Sequence, residues 1–185
     1  MIKRILISKN TKLKNILCGS NPLTSLDVSG CTLLERLDCY DDELTSLDVS
    51  NSPALEFLNI DSNKVGYLDL SANTALKELN CSNNKLAFLD LSANTALETF
   101  YCWDNAHEIN SWEELEQLKE MGFDLSKATN LDGAEYDAET DTLNVYNENL
   151  SYNYPTYGEN TATFDIHIGI SVCEINEENF PDEIY

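Results

Sequence analysis

The chain has 185 residues and a formal net charge of −22, with 33 acidic against 11 basic side chains. That length fits one domain, or a repeat array with a small module attached. So acidic a surface repels phosphate backbones and anionic lipid, which sets nucleic acid and membrane surfaces aside as partners, and no run approaches the roughly 20 apolar residues of a membrane span.

The charge is uneven. Residues 1–106 hold 14 acidic and 9 basic side chains and residues 107–185 hold 19 and 2, so most of the excess lies in the C-terminal part. An excess of this kind keeps an elongated molecule soluble. The start, MIKRILISK, has basic residues and an apolar triplet, but the triplet is too short for a signal peptide and is already in register with the first of a series of repeats. The expectation is a chain without an export signal, or a mature or trimmed form.

The repeats have a period of 21 residues. Residues 2–22, 23–43, 44–64, 65–85 and 86–106 align as five copies, the last two as VGYLDLSANTALKELNCSNNK and LAFLDLSANTALETFYCWDNA. Within a copy the apolar positions fall on short LxL or LxC pieces, whose side chains alternate between two faces. No piece makes a sheet alone. Burial requires the chain to coil once per 21 residues, so that Ile16, Leu37, Leu58, Leu79 and Phe100 stack as one interior row on rungs about 4.8 Å apart. Cys18, Cys39, Ile60, Cys81 and Cys102 stack beside them. Because Ile60 shares that slot, the slot is a small apolar volume and not a metal or disulfide site, and free thiols are expected there. Cys31 falls on the outer corner and Cys173 in the C-terminal part, neither with an evident partner.

Asn21, Asp42, Asn63, Asn84 and Asn105 form a further row, suited to satisfying backbone groups where the coil leaves the strand. Asn73-Thr74-Ala75-Leu76 and its counterpart at 94–97 read as capped helical turns, and Pro53 stands where a first helical residue accepts it. Asp27, Asp48, Asp69 and Asp90, each followed two residues later by serine, form an outer line. They bind either calcium or, in the preferred reading, the amides of their own turns.

The pattern Leu76, Leu79, Cys81, Asn84, Leu86, Leu89, Asp90, Leu91, Ser92 resembles the leucine-rich repeat family, in the short-repeat form of bacterial internalin-like surface proteins. The resemblance implies a right-handed solenoid, mainly β or α/β, with a parallel strand ladder on its concave side and turns or 3₁₀ segments opposite. It also implies a cell-surface or extracellular setting and a protein partner held on the concave face.

By that geometry the outward positions are Asn15, Gly19, Ser20, Arg36, Asp38, Tyr40, Phe57, Asn59, Asp61, Glu78, Asn80, Ser82, Thr99, Tyr101 and Trp103. The contact residues predicted for a partner are Arg36, Asp38, Tyr40, Phe57, Asn59, Asp61, Asn80, Ser82, Tyr101 and Trp103, because aromatics among polar residues carry binding energy at interfaces. Sugar stacking on those rings is the alternative, and a structural spacer that presents the C-terminal module is another. The unguarded N-terminal coil, with Ile5, Ile7 and Leu17, reads as an edge open to self-association.

Past the repeats, the capping box Ser111-Trp112-Glu113-Glu114 opens a helix with Leu115, Leu118 and Met121 on one face, expected to cover the end of the core. Strand-like text comes next at Ala134–Tyr136, Thr142–Tyr146, Tyr152–Tyr154 and Thr161–Val172, which predicts a small antiparallel sheet. The segment Gly122–Tyr146 resembles the β module that succeeds the repeats in some bacterial surface leucine-rich repeat proteins. The resulting division is a solenoid over 1–106, a capping helix over 107–122, a β module over 123–175 and an acidic tail over 176–185. No nucleophile elbow, phosphate loop, HExxH or CxxC occurs, and His107 and His167 stand apart in sequence, so neither an enzyme nor a cofactor or metal is expected.

Overall fold

In the computed structural model, residues 3–109, 117, 120, 129–132, 134–137, 142–145, 149–157 and 160–168 are described. Each 21-residue copy contributes one three-residue strand: β1 Asn15–Leu17, β2 Arg36–Asp38, β3 Phe57–Asn59, β4 Glu78–Asn80 and β5 Thr99–Tyr101. They form one parallel sheet in chain order. Register is a strict offset of 21, Ile16 pairing with Leu37, Leu37 with Leu58, Leu58 with Leu79 and Leu79 with Phe100. The middle residue of each strand points inward as the period requires, with Leu37 and Leu58 fully buried and Phe100 half-buried at the last rung.

Further inward rows make up the core, among them the fully buried Leu23, Leu44, Val65 and Leu86. Leu26, Leu47, Leu68 and Leu89 with Val28, Val49, Leu70 and Leu91 are buried behind the sheet, and Leu34, Leu55, Leu76 and Leu97 close the coil. Cys18, Cys39, Ile60, Cys81 and Cys102 line up beside the strands, all buried and the cysteines all free thiols. Burial pushes the Cys18 thiol up to about 11 and those of Cys39 and Cys81 further, so these sulfurs behave as apolar volume and not as nucleophiles.

The strand must bend sharply to start the next flank. It does so through a left-handed residue in every coil, Ser20, Asp41, Ser62, Asn83 and Asp104, with φ between 52° and 57°. Asn and Asp tolerate that region best among residues with a side chain, which accounts for three of the five. The bend turns each backbone N–H toward the next coil: Ser20 donates to the Tyr40 carbonyl at 2.7 Å, and Asn83 to that of Trp103 at 2.9 Å.

One residue later comes the asparagine row, and its bonds are those expected of it. The Asn63 amide donates to the Cys39 and Ile60 carbonyls at 2.9 and 3.0 Å while its Oδ1 accepts from Leu44 N–H at 2.9 Å. Asn84 repeats the pattern with the Ile60 carbonyl and Val65 N–H. Each side chain thus ties its own coil to the one before it.

The outer corner differs from its sequence reading. Asn73 and Asn94 do not cap helices. Their backbones close single tight turns, Asn73 N–H to the Leu70 carbonyl and Leu76 N–H to the Asn73 carbonyl, at 3.0 and 3.1 Å. Their fully buried amides reach back a coil instead, Asn73 to the Val49 and Ser52 carbonyls and Asn94 to those of Leu70 and Asn73, at 2.8–3.0 Å. Ser52 and Cys31 occupy the same row in the earlier coils, where Ser52 Oγ donates to the Cys31 carbonyl at 3.3 Å. A 21-residue coil has no room for a helix here, so the turn groups find partners across coils.

The first coil is less exposed than its sequence implied. Ile5 and Ile7 are half-buried against the core, and only Leu6 and Leu17 point away. The close approach is possible because of Gly30: a Cβ there would overlap the Ser8 carbonyl. The equivalent residues Asn51, Ala72 and Ala93 all carry a Cβ.

After a parallel bridge between Asn84 and Asn105, strand β6 Ala106–Ile109 leaves the array. Residues 107–109, grouped with the helix on sequence grounds, are therefore extended. Gln117 and Glu120 are helical, and the rest of the predicted helix and its capping box lies outside the described residues. Further strands are β7 Thr129–Asp132, β8 Ala134–Asp137, β9 Thr142–Val145, β10 Asn149–Tyr157 and β11 Asn160–Ile168. The pair β8–β9 is antiparallel, and a four-stranded sheet runs β6-β11-β10-β7. That sheet is mixed where an all-antiparallel one was expected, since β6 pairs with β11 in parallel, Ile166 opposite His107. A strand arriving from far upstream has the long connection that parallel pairing needs. Residues 169–185 with Cys173, and most of 110–128, lie outside the described residues. No helix among the described residues is long and apolar enough to cross a membrane.

Candidate functional site

The repeats form a solenoid with the features that a leucine-rich repeat implies: in-register coils of 21 residues, a parallel ladder of one short strand per coil, and an inward asparagine row at the turn off the strand. In such an array every strand residue that is not inward belongs to one continuous outer strip, because successive side chains alternate. Three rows make up that strip. The first is Asn15, Arg36, Phe57, Glu78, Thr99, the second Leu17, Asp38, Asn59, Asn80, Tyr101, both set by the strand register. The third lies just past the strands as Gly19, Tyr40, Asp61, Ser82, Trp103.

The strip divides into two halves of different character. Toward the N-terminal end its polar groups are bonded to one another. The Arg36 guanidinium lies 3.4 Å from the Phe57 ring centroid, and its Nη2 is 3.4 Å from Asp38 Oδ2. Asp38 Oδ1 accepts from the Asn59 amide at 3.0 Å, and Asn59 Oδ1 in turn accepts from Asp61 N–H at 3.1 Å. The Asp61 carboxylate takes bonds from the Asn83 amide at 2.8 Å and the Ser62 hydroxyl at 3.2 Å. Tyr40 is exposed and rests on Gly19, whose missing side chain leaves room for the ring. A chain of this kind holds its members in fixed rotamers, so a ligand meeting it orders little.

Toward the C-terminal end the strip opens. Tyr101 and Trp103 are 44% and 53% exposed, with ring centroids 4.9 Å apart and planes inclined by 63°. An edge-to-face pair is a favoured arrangement and fixes both rings. What remains uncovered is a rigid apolar ledge beside polar Asn80, whose Oδ1 accepts from Ser82 N–H at 3.2 Å.

Of the predicted contact residues, Arg36, Asp38, Tyr40, Phe57, Asn59, Asp61, Asn80, Tyr101 and Trp103 thus lie on this strip. Ser82 does not present a surface: it is fully buried and its Oγ lies without a hydrogen-bond partner. Ser20 is the left-handed turn residue of its coil and stands off the strip. The residue that sequence reading missed is Leu17, which pairs with Asp38 in register and is 69% exposed. The signal was available, since Leu17 stands 21 residues before Asp38, but a leucine in a leucine-rich chain reads as core.

Charge on the strip is one arginine against three carboxylates. Outside it, Lys14–Glu35, Lys77–Glu56 and Lys64–Glu43 pair between neighbouring coils at 2.6, 2.9 and 3.3 Å. All six side chains are about half exposed, so these pairs trim repulsion between coils and add little stability. The outer aspartates bond locally. Ser29, Ser50, Ser71 and Ser92 each donate a backbone N–H to the Asp two residues earlier, at 2.8–3.0 Å. The Ser29 and Ser50 hydroxyls bond Asp27 and Asp48 as well, and hold both carboxyls below the usual range.

No protein-family model matches the chain, and no curated protein matches it. Among solved structures it is similar to the functional domain of InlJ from Listeria monocytogenes, a structure described as including a cysteine ladder, at 34% identity and a TM-score of 0.44. The match covers 59% of this chain and 29% of that one, so the present chain spans less than a third of its length.

Proposed function

We propose that this chain is a non-enzymatic recognition module that holds a protein partner on the concave strip of the solenoid. The observation that carries the reading is the Tyr101–Trp103 ledge: two large rings, fixed by each other, left in solvent at the end of a strip on which Arg36, Asp38, Asn59 and Asp61 are already bonded within the fold. An apolar ledge of this kind gains by being covered, and aromatic residues beside a pre-bonded polar field are where interfaces concentrate their affinity. The contact set proposed is Arg36, Asp38, Tyr40, Phe57, Asn59, Asp61, Asn80, Tyr101 and Trp103, with Leu17 added and Ser82 omitted. With one cation among three anions the strip favours a partner face that is neutral to basic. The setting proposed for it is a bacterial surface or its exterior.

The test compares the whole chain with its Tyr101→Ala/Trp103→Ala form as baits for surface proteins, read by quantitative mass spectrometry, and places both forms on a glycan array. Proteins held by the native chain and lost at least 30-fold by the variant, at an unchanged melting temperature, support the reading. Partners retained by the variant refute the concave strip, and glycan spots lost in the variant replace the protein partner with a sugar.

A further inference from the structure

The concave strip has an apolar group at each of its ends. Tyr101 and Trp103 stand at the C-terminal end. At the N-terminal end Leu17 is exposed, and the Tyr40 ring lies over Gly19, two residues along from Leu17 on the same face. Leu17 and Tyr101 belong to one row and Tyr40 and Trp103 to the next, so the same two rows are apolar at both ends. Between the ends these rows hold only short polar residues, Asp38, Asn59 and Asn80 in one and Asp61 and the interior Ser82 in the other. Rungs of about 4.8 Å put three to four steps, about 14–19 Å, between the two apolar groups.

The middle of the strip carries charge that the fold does not neutralise. Arg36 is engaged by Asp38. Asp61 receives neutral donors, the Asn83 amide and the Ser62 hydroxyl, and Glu78 is exposed and forms no ion pair among the described residues. Along their rows Glu78 lies between Phe57 and Thr99, and Asp61 between Tyr40 and Ser82, so no cation of the strip adjoins either carboxylate. The backbone beneath is committed from coil to coil, Cys39 N–H to the Asn59 carbonyl and Ile60 N–H to that of Asn80, at 2.9 and 2.8 Å. An extended segment laid across these coils finds no ladder to join and leaves its own backbone groups unmatched, whereas a helix satisfies its own. A helix with its side chains is also about 10–12 Å wide, enough to cover two rows roughly 7 Å apart, where an extended chain covers one.

We propose that the partner element held on the strip is an amphipathic helix lying along the solenoid axis, with one apolar side chain on Leu17 and Tyr40, another on Tyr101 and Trp103, and a lysine or arginine between them facing Asp61 and Glu78. The inference rests on the concave reading and specifies its partner. At about 1.5 Å per residue, the two apolar groups of the strip match helix positions about eleven residues apart, a separation of about 16 Å and about three turns, so that both positions face the strip. Where the strip is low, a long basic side chain reaches the carboxylates with its charge and lays its aliphatic stem on the neighbouring side chains.

The experiment is an amide-resolved NMR titration of the whole chain with three synthetic peptides built on an alanine and glutamine background. The first is a lactam-stapled helix with leucine at i and i+11 and lysine at i+4 and i+7, the second has glutamate in place of both lysines, and the third is the first without its staples and with a central proline that breaks the helix. Saturable shifts with the first peptide at both Leu17–Tyr40 and Tyr101–Trp103 are expected, with affinity about tenfold weaker for the second and the third. Leu17→Ser, at an exposed position, should weaken the first peptide about fivefold and Glu78→Gln about threefold, both at an unchanged melting temperature. Shifts confined to the Tyr101–Trp103 end, equal affinity for the lysine and glutamate peptides or for the helical and proline forms, or no saturation with the first peptide overturn the helix seat. The concave reading fails separately, through partners retained by Tyr101→Ala/Trp103→Ala in the bait comparison, which asks nothing of Leu17 or Glu78.

Discussion

Asp42 is the one member of the asparagine row that cannot do the whole task, and Asp42→Asn is expected to stabilise the fold. Its Oδ1 accepts from Asn21 N–H and Leu23 N–H at 3.0 and 3.2 Å, the acceptor half of the pattern. Its Oδ2 is buried without a partner, and by the geometry of Asn63 and Asn84 an amide nitrogen there would reach the Cys18 and Cys39 carbonyls. A carboxylate offers those carbonyls a third oxygen in place of a donor. Burial raises the Asp42 carboxyl above its ordinary value, partly offset by the two backbone N–H bonds. Relieving a buried unsatisfied group costs or gains about 1–3 kcal/mol, and because Asp42 keeps a little contact with water we expect about 1–2 kcal/mol at pH 7. For an array of this size that is ~4–12 °C in Tm. The pH dependence has a definite sign. A carboxyl raised in the folded state holds a proton that the unfolded chain releases, so its favourable contribution is present below the unfolded value and is lost as pH rises through the folded one. The advantage of the variant should therefore be largest at neutral pH and shrink on acidification through the carboxylate range. Thermal and urea denaturation of both forms from pH 7 to pH 4 measures it, with Glu43→Gln, an exposed neighbour, expected to move stability by less than about 0.5 kcal/mol. A variant no more stable than the native chain at pH 7, or an advantage that does not vary with pH, would refute the reasoning.

Gly30→Ala should loosen the first coil specifically, since the new Cβ collides with the Ser8 carbonyl; a loss of about 1–3 kcal/mol is expected, seen as faster hydrogen exchange over coils one and two and unchanged exchange at Leu79 and Leu89. The buried thiols should react with an aromatic disulfide reagent only when the array opens, because burial holds Cys18, Cys39 and Cys81 protonated at neutral pH; their labelling rate should track the unfolding equilibrium in urea, and fast labelling of the native chain would contradict the packing described.

Sequence alone yielded the interior rows because each is the same position sampled five times. Leu37, Leu58 and Leu79 need no tertiary information once a 21-residue coil is granted, and the cysteine row was identified as apolar volume by the single substitution Ile60. The outer corner was not legible, for a physical reason. Cys31, Ser52, Asn73 and Asn94 do not keep one side-chain type along the row, and each has a sufficient local explanation as a turn or cap residue, so their role in binding across coils emerges only from distances. Leu17 was hidden by composition, and the parallel partner of β6 by sequence separation, since nothing local to Ala106–Ile109 announces a pairing with residues some sixty positions on. The outward strip was legible as geometry, but not which of its members were already engaged: Arg36 over Phe57 and Ser82 in the interior are facts of packing.

The same contrast separates the positions that make the fold from those available for recognition. Inward positions repeat because every coil meets the same neighbour and bears the same desolvation cost for a polar substitute, so a departure such as Asp42 is a measurable defect. Outward positions feel less of that constraint, and a serine at Tyr67 would satisfy the coil as Ser25 and Ser46 do, whereas Phe88 is buried with the core. Large aromatic side chains at outward positions are therefore unexplained by the array itself. Tyr67 of the fourth coil meets Phe88 of the fifth, Tyr101 and Trp103 of the fifth coil meet each other, and Tyr40 and Phe57 stand on earlier coils. The recognition proposed for the strip draws on the Tyr101–Trp103 pair, which the interior rows do not need, so mutations there should separate binding from stability in a way that mutations in the interior rows do not.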